Sequence, residues 1–276
     1  MTIDDIWPVD PEYSEYYWGM VKSGREVAAQ TSASIVAICR NAAHALPYTL
    51  VTLDSLHGLF KSCKCYVFEN DSADGSAECL DYFAGVRPWF EVKHETLGGI
   101  DSRGFEPERT ERLAYCRNKC LEWVRRNPAT WTIVLDTDPA GGFSIDGVMN
   151  SIAQLGSISE SGAMASYSLY RKPEGIAHYD AWAARPNWWR DRRNEIGMTW
   201  FSAFLPPVGS PPVAMNSAFG GLCVYRTEAF LSGRYSGEDC EHVPHHRRIK
   251  EAGWQLYLNP GCRYIAVWDN DETEDS

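Results

Sequence analysis

The sequence predicts an α/β domain built on a mainly parallel sheet flanked by helices, and three observations predict it. Short continuous apolar runs recur along the chain, as in parallel strands buried on both faces. Segments with apolar residues every three or four positions separate them. Each run ends in polar residues, as strands do at the edge where an open sheet binds its ligand. The 276 residues suit one such domain, since α/β domains reach roughly 250 residues.

Ser34–Cys39 is the first strand, ending in Arg40-Asn41. Leu46, Leu50, Leu53, Leu56 and Phe60 then form a helical stripe, with Pro47 tolerable near the helix start. Cys65–Phe68 is a second strand, running into the polar turn from Glu69 to Ser76. Glu106-Pro107 opens a helix with Leu113, Cys116, Cys120, Leu121 and Val124 on one face, and Asn127-Pro128 ends it. Trp131–Leu135 is a third buried strand, leading directly into Asp136-Thr137-Asp138. Residues 171–216 differ in kind: they hold Trp182, Trp188, Trp189 and Trp200, five prolines from Pro186 to Pro212, and the cluster Arg185, Arg190, Arg192 and Arg193. They read as an irregular insertion over the sheet edge. A strand around Cys223–Tyr225, a short helix after Glu238, and a strand at Leu256–Leu258 complete the order. The expected organisation is a helical extension over 1–33, one domain over 34–268, and an acidic tail over 269–276.

With 37 acidic and 26 basic side chains the formal charge is −11, which argues against a nucleic-acid partner. Five of those acids, Asp269, Asp271, Glu272, Glu274 and Asp275, crowd the last eight residues as a solvated tail. No stretch reaches the roughly 18 apolar residues of a membrane span, and the first residues are unlike a signal peptide, so a soluble, cytoplasmic protein is expected. Nine cysteines without CxxC spacing read as small buried hydrophobes of a reducing compartment.

Side chains two apart in extended backbone point the same way, so Asp136 and Asp138 form a paired carboxylate at a strand end. Beside an apolar core they would repel each other unless a cation or a hydrogen-bond network held them, and hard oxygen ligands suit Mn²⁺ or Mg²⁺ bridging a diphosphate. The turn with Glu69, Asn70 and Asp71 has two readings: Ser72 or Asp74 caps the next helix, or its acids and amides recognise a nucleotide base. Arg109, Arg112, Arg117 and Asn118 lie on the helix before the third strand and can form a solvated polar face, with Glu108, Glu111 and Glu122 available as partners. Ser236 and Asp239 have capping-box spacing. Alternatively Asp239, with Glu238 beside it, supplies a general base. His242, His245 and His246 follow, and the spacing leaves open which of them faces inward. The tryptophans can serve ordinary core and lid packing.

In this order the motifs resemble those of GT-A-type nucleotide-sugar glycosyltransferases: Arg40-Asn41 after the first strand, the Glu69–Ser76 turn, Arg117-Asn118, the Asp136-Thr137-Asp138 motif, and Glu238-Asp239 near the C-terminus. Arg112–Asn118, His178–Trp182 and Ser217–Leu222 are also similar to stretches of fungal capsule-type α-1,3-mannosyltransferases. The resemblance implies a Rossmann-like mixed sheet and a hexosyltransferase-like enzyme of polysaccharide biosynthesis. It moves a sugar from a UDP- or GDP-sugar to a hydroxyl of a glycan or other acceptor. It implies a divalent metal on Asp136, Asp138 and His242, and donor contacts from Arg40, Asn41, Glu69, Asn70, Asp71, Arg112, Arg117, Asn118, Asp136 and Thr137. Asp239, with Glu238, would be the base of an inverting reaction, and Asp180, Trp182, Trp188 and Trp189 would meet the acceptor. A retaining enzyme, a sugar-phosphate nucleotidyltransferase and a non-catalytic sugar- or nucleotide-binding module are the alternatives.

Overall fold

The computed structural model describes residues 3–98, 106–138, 140–172, 175–188 and 204–267. Trp189, Trp200, Arg190, Arg192, Arg193 and the acidic tail lie outside the described residues. Among the described residues ten strands form one mixed sheet. Four of them, β1 (Ser32–Cys39), β2 (Ser62–Asn70), β3 (Phe90–Glu95) and β4 (Trp131–Asp136), pair in parallel in the order β3-β2-β1-β4. The rest of the sheet comes from β5 (Ser161–Lys172), β6 (Gly175–His178), β7 (Arg185–Pro186), β8 (Val213–Ser217), β9 (Leu222–Arg226) and β10 (Gln255–Ala266). β9 pairs antiparallel with β4 and β5, β10 runs parallel to β5, and β8 and β7 continue antiparallel beyond it, with β6 hairpinned onto β5.

The period-2 alternation of the central strands builds two cores. Ala33, Ile35, Ala37 and Cys39 of β1, with Cys65 and Val67 of β2 and Ile133 and Leu135 of β4, face one side. There they meet α2 (Ser14–Ala28), α3 (Leu46–His57) and α6 (Ile145–Ser157). Val36, Tyr66, Phe68 and Val134 face the other side, against α5 (Pro107–Arg126), α7 (Thr227–Ser232) and α8 (His242–Glu251). The remaining α-helices among the described residues are α1 (Ile3–Ile6) and α4 (Ser76–Val86). Among the described residues no helix is long and apolar enough to cross a membrane. All nine cysteines are unpaired and eight are buried.

Part of the 171–216 segment, read from the sequence as irregular, supplies β6, β7 and β8 to the sheet. The difference arises because these strands are short and pair mostly at the sheet margin, where little apolar periodicity is needed. Helix α2 is integral to the core, since its Tyr17, Val21 and Ala28 join the cluster formed by α6 and the sheet. α2 crosses α6 so closely that a Cβ on Gly24 would lie 1.8 Å from the carbonyl oxygen of Met149. Backbone cannot yield as a side chain can, so Gly24→Ala is expected to destabilise the fold by about 1–3 kcal/mol. An unchanged melting temperature would contradict that crossing.

Candidate functional site

β1, β2 and β4 end together, with Ile38 opposite Asp136 and Cys39 opposite Glu69. Beyond these ends lies a cavity of about 250 Å³. Arg40 and Asn70 line it from the first two strands, Asp136, Thr137 and Asp138 from the third, Arg109, Arg112 and Arg117 from α5, Tyr179, Asp180 and Trp182 from the loop after β6, and Phe219, Cys240, Glu241 and His242 from the C-terminal third. Residues distant in sequence therefore share one site at the carboxyl edge of the parallel strands, the expected place for a ligand.

Arg117 is its electrostatic centre. Its guanidinium is buried, donates to Asp136 Oδ1 at 2.5 Å and lies 3.4 Å from Glu241 Oε1. It also sits over the Phe219 ring, 5.0 Å from the centroid. Burial alone would lower the Arg117 pKa, but Asp136 and Glu241 outweigh it and hold the guanidinium protonated. Burial pushes the Asp136 carboxyl up to about 7; Arg117 pulls it down, while Asp138 and Glu241 add repulsion. Thr137 lines the cavity with both acids and donates from Oγ1 to Ile38 O at 3.0 Å, which ties the segment after β4 to the end of β1.

The two turns after β1 and β2 hold each other. The Asn41 amide donates to Ser72 Oγ at 3.0 Å, Asn41 Oδ1 accepts from Ala73 N at 2.9 Å, and Asp74 Oδ2 accepts from Ala43 N at 2.9 Å. Asn41 and Asp71 both take positive φ, 51° and 52°. Ser72 therefore does not cap α4, whose N-cap is Gly75 at φ 93°. Asp74 instead accepts from the Ser76 amide at 3.0 Å while bracing the neighbouring turn. Of the acids proposed to read a base, Asp71 accepts from Asn70 Nδ2 and from Leu97 N. Asn70 lines the cavity, whereas Glu69 is buried and braces the turn through Ser72 N at 2.9 Å.

Glu69 also meets His94 Nδ1 at 2.6 Å, and Asp81 meets His94 Nε2 at 2.9 Å. Partial burial would lower the His94 pKa, but these two carboxylates outweigh it and hold it above the ordinary value. The stability it contributes is thus fully present below pH 6.5, the unfolded value, and is lost as pH rises through the folded one. His94→Gln is expected to melt below the wild type at pH 6 and to converge with it at alkaline pH. A constant melting gap from pH 6 to 9 would contradict this.

Asn118, expected at the donor, is spent on structure: it donates to Tyr235 O at 3.0 Å and accepts from Tyr235 N at 3.2 Å. Arg112 donates to Gly98 O at 3.1 Å and lines the cavity. Arg40 lines it too, with its Nε buried and without a hydrogen-bond partner. Glu238 is an exposed surface acid near Arg247 and Arg248, and Ser236 Oγ donates to it at 3.2 Å. The Ser236–Asp239 capping box does not form; α8 begins at His242 with Glu241 in the N-cap position. Asp239 does not line the cavity. Both its oxygens accept from Arg185 Nη2, at 3.0 and 2.8 Å.

Of the acids at 238, 239 and 241, it is Glu241 that lines the cavity, buried and adjacent to His242. Sequence reasoning missed it, although an acid beside a histidine was the signal available. Of the three histidines, His242 faces the cavity, stacked on Phe219 at 3.7 Å with both ring nitrogens lacking hydrogen-bond partners. His246 is fixed by Ser217 and Tyr225, each at 2.8 Å, and His245 stacks on Tyr235 at 4.1 Å. Burial, reinforced by Arg117, pushes the His242 pKa well down. Its 3.4 Å approach to Glu241 is therefore not an ion pair. Neutral imidazole is also the form that binds metals. Trp182 lines the cavity with the Arg109 guanidinium 5.3 Å from its ring centroid. Trp188 is 59% exposed and lies outside the cavity lining. Asp180, at φ 63°, accepts from Gly220 N at 2.9 Å and Ala183 N at 3.3 Å, and burial pushes its carboxyl up to about 7.

These donors fit a divalent cation in part. Asp136, Asp138 and His242 line the same cavity, with Asp136 held by Arg117 and the His242 ring nitrogens without hydrogen-bond partners. Among the described residues no three acidic, histidine or cysteine side chains converge tightly enough to enclose an ion alone. The remaining ligands would have to come from a bound molecule, as with ions that bridge phosphates.

The fold is that of the GT-A glycosyltransferases. The mannosyltransferase PcManGT from Pyrobaculum calidifontis, in complex with GDP-Man and Mn²⁺, superposes with a TM-score of 0.54 at 13% identity, covering 94% of this chain and 68% of that one. GalNAc-T7 with UDP, GalNAc and Mn²⁺ gives 0.56 at 12% identity, over 95% of this chain and 53% of that one. Residues 1–349 of S. aureus TarS in complex with UDP-GlcNAc give 0.50 at 10% identity, over 85% and 58%. The chain thus spans about two thirds of the first of these proteins and about half of the second. No protein-family model and no curated protein matches the sequence.

Proposed function

We propose that this chain is a metal-dependent glycosyltransferase that moves a sugar from a nucleoside-diphosphate donor to a hydroxyl acceptor. The observation that carries this is the convergence of Asp138, Glu241, His242, Arg40 and Arg112 on one cavity at the carboxyl edge of the parallel strands. Asp138 and His242 would hold the divalent cation, with Asp136 fixed by Arg117 in the same cavity. A cation there would offset the negative charge that develops on the departing diphosphate. Arg40 and Arg112 supply charge-assisted hydrogen bonds to phosphate oxygens. Asn70, which lines the cavity from the braced turn, would face the base and ribose.

Glu241 takes the proton of the acceptor hydroxyl. The freed oxygen bonds to the anomeric carbon as the bond from that carbon to the diphosphate oxygen breaks, and the nucleoside diphosphate leaves with the electron pair. This in-line path inverts the anomeric centre. The loop with Asp180 and Trp182 forms the acceptor-side wall. GDP-mannose is the first donor to test, given the motif resemblance to α-1,3-mannosyltransferases and the donor bound to PcManGT.

The test is a thermal-shift panel of UDP-, GDP- and TDP-sugars with and without Mn²⁺. Saturation at about a hundred times Kd adds about 2.7 kcal/mol, a rise of several degrees for a chain of this size. One donor should stand out, and only with the metal. No shift with any donor would overturn the proposal.

A further inference from the structure

We propose that Asp239 is a positioning residue: through Arg185 it locks the loop bearing Tyr179, Asp180 and Trp182 onto the segment bearing Glu241 and His242. This rests on the glycosyltransferase reading above. The motif resemblance implies Asp239 as the base, and the geometry points elsewhere. Neither Asp239 nor Arg185 lines the cavity, and both are largely buried, at 12% and 5% side-chain exposure.

Arg185 is shared between two elements. Nη2 holds both Asp239 oxygens, while Nη1 donates to Trp182 O at 2.9 Å and Ala184 O at 2.8 Å. Asp239 Oδ1 in turn accepts from the amide of Cys240, the residue before Glu241, at 2.7 Å. One ion pair thus fixes the backbone on both sides of the site. The loop has further anchors at Tyr179 N to Ser168 O, 2.9 Å, and at Asp180 to Gly220 N. The left-handed backbone of Asp180 needs such anchoring, because a non-glycine residue holds that conformation only when its surroundings enforce it. A carboxylate that already binds one guanidinium through both oxygens, outside the cavity, has no path to an acceptor hydroxyl.

The roles separate in the kinetics of Asp239→Asn, Arg185→Gln, their double variant, and Glu241→Gln, with hydrolysis of whichever nucleotide sugar shifts the wild type as readout. A lock predicts that the two single variants lose activity to the same extent, about tenfold to a hundredfold, and that the double variant is no worse, since both remove one interaction. The acidic limb of the pH–rate profile should survive in Asp239→Asn and vanish in Glu241→Gln. Amide hydrogen exchange over 179–186 should rise in both lock variants and not in Glu241→Gln.

A loss in Asp239→Asn far beyond that of Arg185→Gln, with the acidic limb gone and exchange unchanged, would make Asp239 the base and overturn the inference. Arg185→Gln leaves that carboxylate in place, so it remains informative if Asp239→Asn fails to fold. If no nucleotide sugar shifts the wild type, the glycosyltransferase reading is what fails. Exchange over 179–186 then decides the lock alone: unchanged protection in both variants refutes it.

Discussion

Asp138→Ala is expected to lower donor turnover by about a hundredfold to a thousandfold while leaving the fold intact. Asp138 lies in the bend after β4 at the cavity, where the proposed cation and diphosphate would meet. After burial and the opposing pull of Arg117, its charge is among the influences that raise the Asp136 pKa. Removing it therefore relieves repulsion in the metal-free protein, and the melting temperature without metal should hold or rise slightly. The stabilisation that Mn²⁺ confers with a nucleotide sugar should disappear. Melting curves with and without Mn²⁺, beside turnover, check both halves, and full turnover by the variant would remove Asp138 from the metal role.

The second large effect concerns stability. Arg117→Met leaves Asp136 and Glu241 buried without their shared cation, and removing one partner of such a group costs about 3–5 kcal/mol. The deficit should depend on pH with a definite sign. Asp136 is already pushed up to about 7 with Arg117 present, against 3.8 for an ordinary aspartate, and loses its counter-charge in the variant. A folded-state carboxyl with a raised pKa keeps its proton where the unfolded chain has released it, so stability falls as pH rises through that window. Melting in buffer free of divalent cations should show the variant closer to the wild type at pH 5 than at pH 8. An equal deficit at both would mean that Arg117 contributes packing over Phe219 rather than charge compensation.

How legible the molecule was in its sequence varies from element to element. β1, β2 and β4 were readable because strands buried on both faces must be continuously apolar. β3, with sequence Phe-Glu-Val-Lys-His-Glu, is an edge strand with half-exposed alternation and left no such signal. β5 is rich in serine and alanine. Its buried Ser166 and Ser168 are accommodated because they donate to Gly220 O at 2.5 Å and Tyr179 O at 3.2 Å, partners that no local pattern announces. Asp136-Thr137-Asp138 was readable because its geometry is local. The pairing of Arg117 with Asp136 and Glu241 was not, since these groups stand 19 and 124 positions apart.

By itself, then, the sequence determined the fold class, the central parallel strands and the position of the carboxylate pair directly after β4, all of which follow from patterns local to single elements. Only the tertiary structure decided that Glu241 lines the cavity while Asp239 pairs with Arg185, that His242 is the histidine facing the cavity, and that Glu69 and Asn118 brace backbone. The turn before α8 has no regular period to assign its side chains to a face. Where each points is set by which buried charge it meets, and those charges arrive from β7 and α5, elements remote in the chain.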